Sequence, residues 1–507
     1  MQALARAALM LASSSHGRVI QTGTKAICGQ LSRVEAATTP DEDAHRQARV
    51  SEAAMQDRIF YRRAVNHDSV HLLACALAGL AGAVAGASLV RRSRSSGFEP
   101  NRHTQLAQLN DTPARRYYTG FNPQRAIAIS DLRAMSHKRL PRFALEYLEG
   151  GAEDEAAMLR ERRAFANWRF MPRTLVDVSH RSLATNILGR PAAMPLVISP
   201  TGLNGILHVH GDRLLAQAAL HADVPFVQST MSNDTMEEVA RAAPGVRHWW
   251  QLYVFGGDEI WQELLRRADR VGCEALVLTT NAQIFGDREW QRRNQIGKGR
   301  LSASAALESL THPLWFVENP LSHGLPSFAN IIDFVPKDQR SFFAASNWVR
   351  AHQPASLSWD TVAKIRERWK KPFILKGILC PDDVRRAVDS GVDGIVLSSH
   401  GGRQLDWTIS PLDLLPFARK IVGEKTALYI SGGVRRGTDL LKACALGADA
   451  VWVGRAPLYG LCAAGAAGAV RALEILQAEA RNAMGLLGVS HVDDLGPHLL
   501  AQTGRVA

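Results

Sequence analysis

The sequence predicts an α/β fold, a TIM-type (β/α)8 barrel with a long insertion after the fourth strand and an N-terminal targeting or membrane appendage. Three observations predict it. Eight short apolar runs recur between Pro195 and Gly454, about 260 residues, the usual span of such a barrel. Most of the runs are continuous rather than alternating, as expected of parallel strands covered on both faces. Polar residues stand where the runs end, and barrel enzymes build their sites at that end. An open doubly wound sheet is the competing architecture, but no run is followed by GxGxxG.

The chain begins with a different kind of sequence. Residues 1–34 hold Arg6, Arg18, Lys25 and Arg33 but no acid, with frequent Ser and Ala, which resembles a mitochondrial presequence. Residues 72–90 are 19 residues without charge, followed by Arg91, Arg92 and Arg94, long enough to span a bilayer. An Ala-rich helix on a soluble tail is the alternative for that segment. A basic presequence before an apolar stop resembles the signals that direct proteins to the mitochondrial inner membrane or intermembrane space. Residues 93–125 are polar and read as a linker, and the barrel domain is expected over 126–495.

The expected strands, in order, are Pro195–Ser199, Pro225–Ser229, His248–Tyr253, Ala275–Thr280, Pro372–Lys376, Gly394–Ser398, Leu428–Ser431 and Ala450–Gly454. The polar residues at their ends are Ser199, Ser229, Gln251 with Tyr253, Thr279, Lys376, Ser398 with His400, Ser431 and Arg455. The interruption Phe285–Leu357 is too long for an ordinary connection. It mixes Arg288, Arg292, Arg293, Lys298 and Arg300 with Trp315, Phe316, Phe342, Phe343 and Trp348. That mixture suits a lid or membrane-contacting surface, or a folded insertion that packs its aromatics inward.

Composition narrows the function. A formal net charge of +12 without a long basic run in the last four-fifths of the chain argues against nucleic acid. It fits a basic face toward an anionic membrane or an acidic protein. The six cysteines form no CxxC and no metal spacing, so buried free thiols and no metal site are expected.

The chemistry is concentrated in Ser398-Ser399-His400-Gly401-Gly402-Arg403-Gln404-Leu405-Asp406, at the end of an apolar run. His400 can take a proton near neutral pH, and Arg403, three residues on, can grip a carboxylate with its fork. The pair suits removal of hydrogen from a small 2-hydroxy acid. Two anion-binding features follow. Gly432-Gly433-Val434-Arg435 precedes a helix after the seventh run, and Gly454-Arg455 follows the eighth. Glycines bring backbone N–H groups close to a phosphate, and barrels often hold one there.

These motifs resemble those of the FMN-dependent 2-hydroxy acid dehydrogenases and oxidases, which include L-lactate dehydrogenase (cytochrome), mandelate dehydrogenase and glycolate oxidase. The resemblance covers about 126–490. It implies an FMN cofactor, and Lys376 would place a cation beside the N1–C2=O edge of the isoalloxazine ring. Gln251 and Thr279 would bond the ring, and Ser199, Pro200, Thr201 and Gly202 would contact its other side. Ser229, Ser398, Ser431, Gly432, Gly433, Arg435, Gly454 and Arg455 complete the expected cofactor set. Leu140-Pro141-Arg142-Phe143 through Glu146-Tyr147 matches the family's opening helix, so Tyr147 and Tyr253 fall on substrate tyrosines, and Arg288 on a second active-site arginine. His400 is the expected base for the hydroxyl proton or the Cα proton. Pro200 to Gly205 and Thr311 to Trp315 look more like the membrane-bound mandelate and lactate dehydrogenases than glycolate oxidase, which favours the lid or membrane reading of the insertion.

Two departures stand out. Asn281 replaces the family's aspartate that bonds the histidine; it can orient the ring but cannot offset an imidazolium charge, so His400 should be a weaker base. Ser431 replaces an aspartate that contacts the ribityl chain. Met231 with Gly202 suggests a roomier pocket, open to an aromatic substrate. A haem-binding cytochrome b5 domain before the barrel is not expected, because residues 93–125 are too short to hold one.

The expected activity is oxidation of an L-2-hydroxy acid, lactate first, to the 2-oxo acid, with electrons passing to cytochrome c, a quinone or oxygen. Its setting is mitochondrial, with membrane contact and a homo-oligomer. The rivals are an oxidase that uses oxygen, a mandelate-type dehydrogenase, and a flavin-binding pseudoenzyme.

Overall fold

A computed structural model describes residues 116–293, 296–297 and 300–503. The presequence-like region, the 72–90 segment and most of the linker lie outside the described residues. Among those described, eight parallel strands close into a barrel: β1 Leu196–Ile198, β2 Phe226–Ser229, β3 His248–Leu252, β4 Ala275–Thr279, β5 Phe373–Ile378, β6 Gly394–Ser398, β7 Ala427–Ser431 and β8 Ala450–Val453. Each pairs with the next in sequence, and Val453 of β8 pairs with Ile198 of β1 to close the ring. The eight expected strands are all present. Most are trimmed by a residue or two, at starting prolines, which have no N–H for the ladder, and at a polar residue or glycine at the far end; β5 runs on to Ile378 and β7 begins at Ala427.

One arithmetic feature organises the interior. Val197, Val227, Trp249, Val277, Ile374, Val396, Tyr429 and Trp452, one from each strand, form a buried cluster inside the barrel. Strand side chains alternate faces, so the next inward position lies two residues on. Those positions are Ser199, Ser229, Gln251, Thr279, Lys376, Ser398, Ser431 and Gly454. The barrel therefore holds an apolar layer and, directly above it, a polar one. Ile187 and Ala192, from the hairpin Thr185–Ile187 and Arg190–Ala192, join the apolar cluster.

Three helices precede the barrel: α1 Ile129–Arg139, α2 Arg142–Glu149 and α3 Ala156–Ala164. α3 has no side-chain cap of its own, since Glu155 before it is left-handed at φ 60°. Its first N–H groups, from Ala156 and Ala157, go instead to the Asp406 carboxylate at 3.1 and 2.6 Å. A remote acid thus does the capping, with the added benefit of a negative charge at a helix start. The fourth labelled helix, α4 (Arg455–Leu487), breaks at Ala464 and Gly465 and packs along α1. It is long and apolar enough to cross a membrane, yet most of its apolar window is buried in the protein, which makes it a core helix.

The structure refines three expectations. The body does not stop at 495, because Leu500–Gln502 pairs antiparallel with Trp168–Phe170. Cys273 and Cys462 are buried free thiols, but Cys380 is exposed at the start of a surface helix. The insertion's aromatics largely turn inward. Trp315 and Trp348 are buried, and Phe316 and Phe342 pack against the core. Their basic neighbours are on the outside: Arg292 and Arg293 form exposed ion pairs with Asp287 and Glu289.

Candidate active site

Ser199, Ser229, Lys376, Ser431 and Gly454 of the polar layer line a cavity of about 500 Å3 at the C-terminal mouth of the barrel. Within that layer, the Ser199 and Ser431 hydroxyls stand 3.2 Å apart. Ser229 donates to Gln251 Oε1 at 2.9 Å. Thr279 is buried opposite Lys376 in the strand register. Lys376, 5% exposed, donates to the Ser398 hydroxyl at 3.3 Å. Burial lowers the Lys376 ammonium to about 8, while Glu161 pulls the other way.

His400 stands just beyond β6, left-handed at φ 63°. Its N–H donates to Ser398 Oγ at 3.1 Å, which fixes the turn. Its Nδ1 lies 3.2 Å from Asn281 Oδ1 and its Nε2 3.3 Å from the Tyr253 hydroxyl. Asn281 Nδ2 donates to the Ser398 carbonyl at 2.9 Å. That bond orients the amide with its oxygen toward the ring, so Nδ1 carries the hydrogen and Nε2 keeps the lone pair. A Cβ on Gly377 would come within 2.4 Å of Asn281 Cγ, so a glycine at φ 111° is what lets the amide approach. Burial first, then Lys376, Arg288, Arg403 and Arg455, hold the His400 imidazolium well below its ordinary range. The ring is a neutral base with no carboxylate behind it.

Arg403 Nη1 donates to the carbonyls of Tyr147 and Gly150 at 2.7 and 2.8 Å, and its guanidinium lies over the Tyr147 ring at 5.0 Å. Arg288 Nε donates to the Arg403 carbonyl at 3.3 Å, stacking one arginine's side chain on the other's backbone. Both guanidinium groups are half-buried at the cavity wall, and desolvation is the largest influence lowering each. The Tyr147 hydroxyl, expected at the substrate, donates to the Gly202 carbonyl at 2.7 Å. Burial also raises the Tyr253 phenol, so it stays protonated. Space opposite Gly202 is already filled, since a Cβ there would come within 2.7 Å of Met231 Cβ. Gly202 makes way for Met231 rather than for substrate, which corrects the roomier pocket expected from this pair. Breadth comes from elsewhere: Phe143, Trp315, Phe342 and Phe343 also line the cavity.

Gly432, Gly433, Arg435 and Gly454 also line the cavity, with Pro200 and Thr201, and Arg455 stands between them and Arg403, since both arginines donate to the Gly150 carbonyl. Arg455 spends four of its five N–H groups on the carbonyls of Leu148, Glu149, Gly150 and Gly401. Gln251, Thr279, Ser398 and Asn281 stand behind the wall rather than on it. Sequence reasoning missed Glu161 of α3, which is buried and accepts from the Ser399 hydroxyl. It also missed the latch that brings this helix here: Ala152 N–H donates to the Gly402 carbonyl, and Asp406 caps α3. No cluster able to hold a metal occurs among the described residues.

A neutral histidine beside two arginines, at the mouth of a (β/α)8 barrel with a glycine-rich anion cradle, defines an oxidoreductase barrel for anionic substrates. The family model for FMN-dependent dehydrogenase matches residues 136–502. (S)-mandelate dehydrogenase of Pseudomonas putida is 40% identical over 382 residues, 75% of this chain and 95% of that protein. L-lactate dehydrogenase of Pectobacterium atrosepticum is 36% identical over 375 residues, 74% of this chain and 97% of that one. The crystal structure of the monotopic membrane protein (S)-mandelate dehydrogenase superposes with a TM-score of 0.71 at 40% identity, covering 75% of this chain and 100% of that one. The flavin-binding domain of baker's yeast flavocytochrome b2 gives 0.63 at 29% identity, covering 76% and 90%. The chain belongs to the FMN-dependent dehydrogenase family, as an FMN-dependent 2-hydroxy acid dehydrogenase.

The residues present fit FMN. Gln251 Nε2, in the polar layer just behind the wall, and Arg435 Nε, at the glycine cradle, are buried without a hydrogen-bond partner. Orphaned buried donors are rare unless a ligand completes them. Gly432 at φ 145° and Gly433 at φ 76° leave the cradle free of side chains.

Proposed function

We propose that the chain oxidises an L-2-hydroxy acid with an apolar, aromatic-sized side chain to its 2-oxo acid. The observation that carries the reading is the pairing of a neutral His400 with two half-buried arginines under a wall of Phe143, Trp315, Phe342 and Phe343. Lactate, the first expectation, is the second reading; the 36% identity to an L-lactate dehydrogenase supports it.

In this reading Arg403 and Arg288 hold the substrate carboxylate, because both line the cavity, where partial exclusion of solvent strengthens charge-assisted bonds. Tyr253 donates to the substrate hydroxyl or its developing oxyanion. His400 Nε2 accepts the hydroxyl or Cα proton, and Asn281 holds the ring for it. Tyr147 braces Gly202 and stacks on Arg403. Lys376, Gln251 and Thr279 hold the isoalloxazine ring, Ser431 and Ser199 the ribityl chain, and Arg435, Arg455 and the Gly432-Gly433 backbone the phosphate. FMN, when bound, takes up the two electrons that leave the substrate.

For the electron acceptor, a membrane quinone is preferred over cytochrome c or oxygen. Exposed Leu307, Leu310, Leu321 and Leu325 on the insertion support membrane contact there. A mitochondrial setting rests on residues 1–34 and 72–90 alone. A homo-oligomer is also expected, and light scattering of the purified chain reads it.

The test is an anaerobic absorbance titration of the full chain with L-mandelate, L-lactate and glycolate. Bleaching of the flavin band with L-mandelate at the lowest concentration supports the reading. Bleaching by lactate alone replaces it with the second. An intact band with all three makes the chain a flavin-binding pseudoenzyme toward these acids.

A further inference from the structure

Glu161 is a buried carboxyl facing the cofactor cradle that the proposed chemistry leaves unused. It is 2% exposed and stands behind the β7 loop. A Cβ built on Gly432 would lie 2.6 Å from Glu161 Oε1 and 2.7 Å from Oε2, so only glycine lets the carboxyl reach the back of the cradle. Its hydrogen-bond donor is the Ser399 hydroxyl, from the β6 loop. The charged groups facing it are Lys376 of β5, Arg435 of the β7 loop and Arg455 at the start of α4, and all three line the cavity.

A carboxylate in this position balances those cations while the cradle is empty. A phosphate dianion entering the same cradle would do the same, and two anions poorly screened from each other repel. We propose that Glu161 is a positioning residue for the phosphate end of the cofactor that turns neutral when FMN binds, so that loading the protein takes up one proton at Glu161. The inference rests on the reading that the β7 and β8 loops hold the phosphate. The balance is simple: empty protein with ionised Glu161, plus FMN, plus one proton, gives loaded protein with protonated Glu161.

The sign follows from where the carboxyl titrates. Burial raises it to about 7 in the empty protein, against the opposing pull of Ser399 and the three cations. Below that pH the proton is already in place and affinity is unaffected. Above it the proton must be gained on binding, so the Kd for FMN rises by about tenfold per pH unit. The phosphate monoester itself titrates near about 6 and is a dianion across this window. Lys376, held at about 8, enters only at the upper edge.

The experiment follows free flavin fluorescence on dilution of the full-length holoprotein between pH 6.5 and 8.0. A Kd flat at the acid end and rising above pH 7 is expected for the wild type, with Glu161→Gln flat throughout. Calorimetric titration of FMN into wild-type apoprotein at pH 7.5, in two buffers of different ionisation enthalpy, should show uptake of about three-quarters of a proton, the fraction of Glu161 ionised there, and it needs no variant to fold. A flat wild-type Kd, no proton uptake, or an unchanged slope in Glu161→Gln overturns the proposal. Arg435→Ala separates the underlying reading: weaker FMN binding at every pH upholds the cradle, and unchanged binding removes cradle and proposal together.

Discussion

The cavity has two cationic ends, and they differ in what balances the charge. At the cradle, Lys376, Arg435 and Arg455 face the carboxyl of Glu161. At the other end, the charged neighbours of Arg403 and Arg288 are each other, Arg455, Arg350 and the two tyrosines, with no carboxyl among them. Half-buried guanidinium groups without a counter-charge are costly unless an anion arrives. The substrate's carboxylate is therefore part of the site's own electrostatics, whereas the cradle keeps an internal substitute. The same contrast explains His400. Surrounded by cations and backed by an amide, it is kept neutral and ready to accept a proton, at the cost of basicity.

The sharpest break comes from removing the base. His400→Gln should keep its FMN yet lower the rate of anaerobic flavin bleaching by about 10² to 10⁴, the usual contribution of a positioned base. Stopped-flow absorbance reads it, and a wild-type rate would remove His400 from the chemistry. Next is Arg403→Lys, which keeps the charge but loses the fork. KM should rise by roughly 10- to 100-fold, with kcat less affected, in line with the ~1.5–3 kcal/mol of a charged hydrogen bond. Steady-state kinetics decide it, and an unchanged KM would leave the substrate end without its clamp.

Met231→Ala tests the walls rather than the charges. It should shift the ratio of kcat/KM for mandelate over lactate by about tenfold, the scale of a hydrophobic pocket contact. The gentlest change is Asn281→Asp. Wild-type kcat/KM should stay level through neutral pH and fall only in acid, because the imidazolium forms well below its ordinary range. A carboxylate at 281 favours the imidazolium, so the acid limb should move up by about one pH unit. Turnover above that limb should rise by a few-fold; a pH–rate profile without either change would mean the amide suffices.

The barrel was legible because eight continuous apolar runs end in polar residues, and parallel strands covered on both sides read that way. The same continuity hid which residues face inward. With no alternation in Ala275–Thr279 or Gly394–Ser398, the two-residue step from Val277 to Thr279 and from Val396 to Ser398 emerges only once the barrel closes. His400, Arg403 and Asn281 were found because they cluster at strand ends. Glu161 was not, because Arg160-Glu161-Arg162-Arg163 reads as a solvated helix face, and nothing local announces that Gly432 waits opposite. The insertion's aromatics were undecided for a related reason: interleaved arginines look alike whether the rings point in or out.

The Asp406 cap ties these parts to a common fate. The loop that carries His400 and Arg403 ends on the carboxylate that starts α3, and α3 carries Glu161. A fluctuation that frays the first turn of α3 releases Asp406 and unmoors the base, the clamp and the cradle's counter-charge at once. Amide exchange at Ala156 and Ala157 should therefore report the opening of the whole site as one cooperative unit, far slower than an uncapped helix end would exchange.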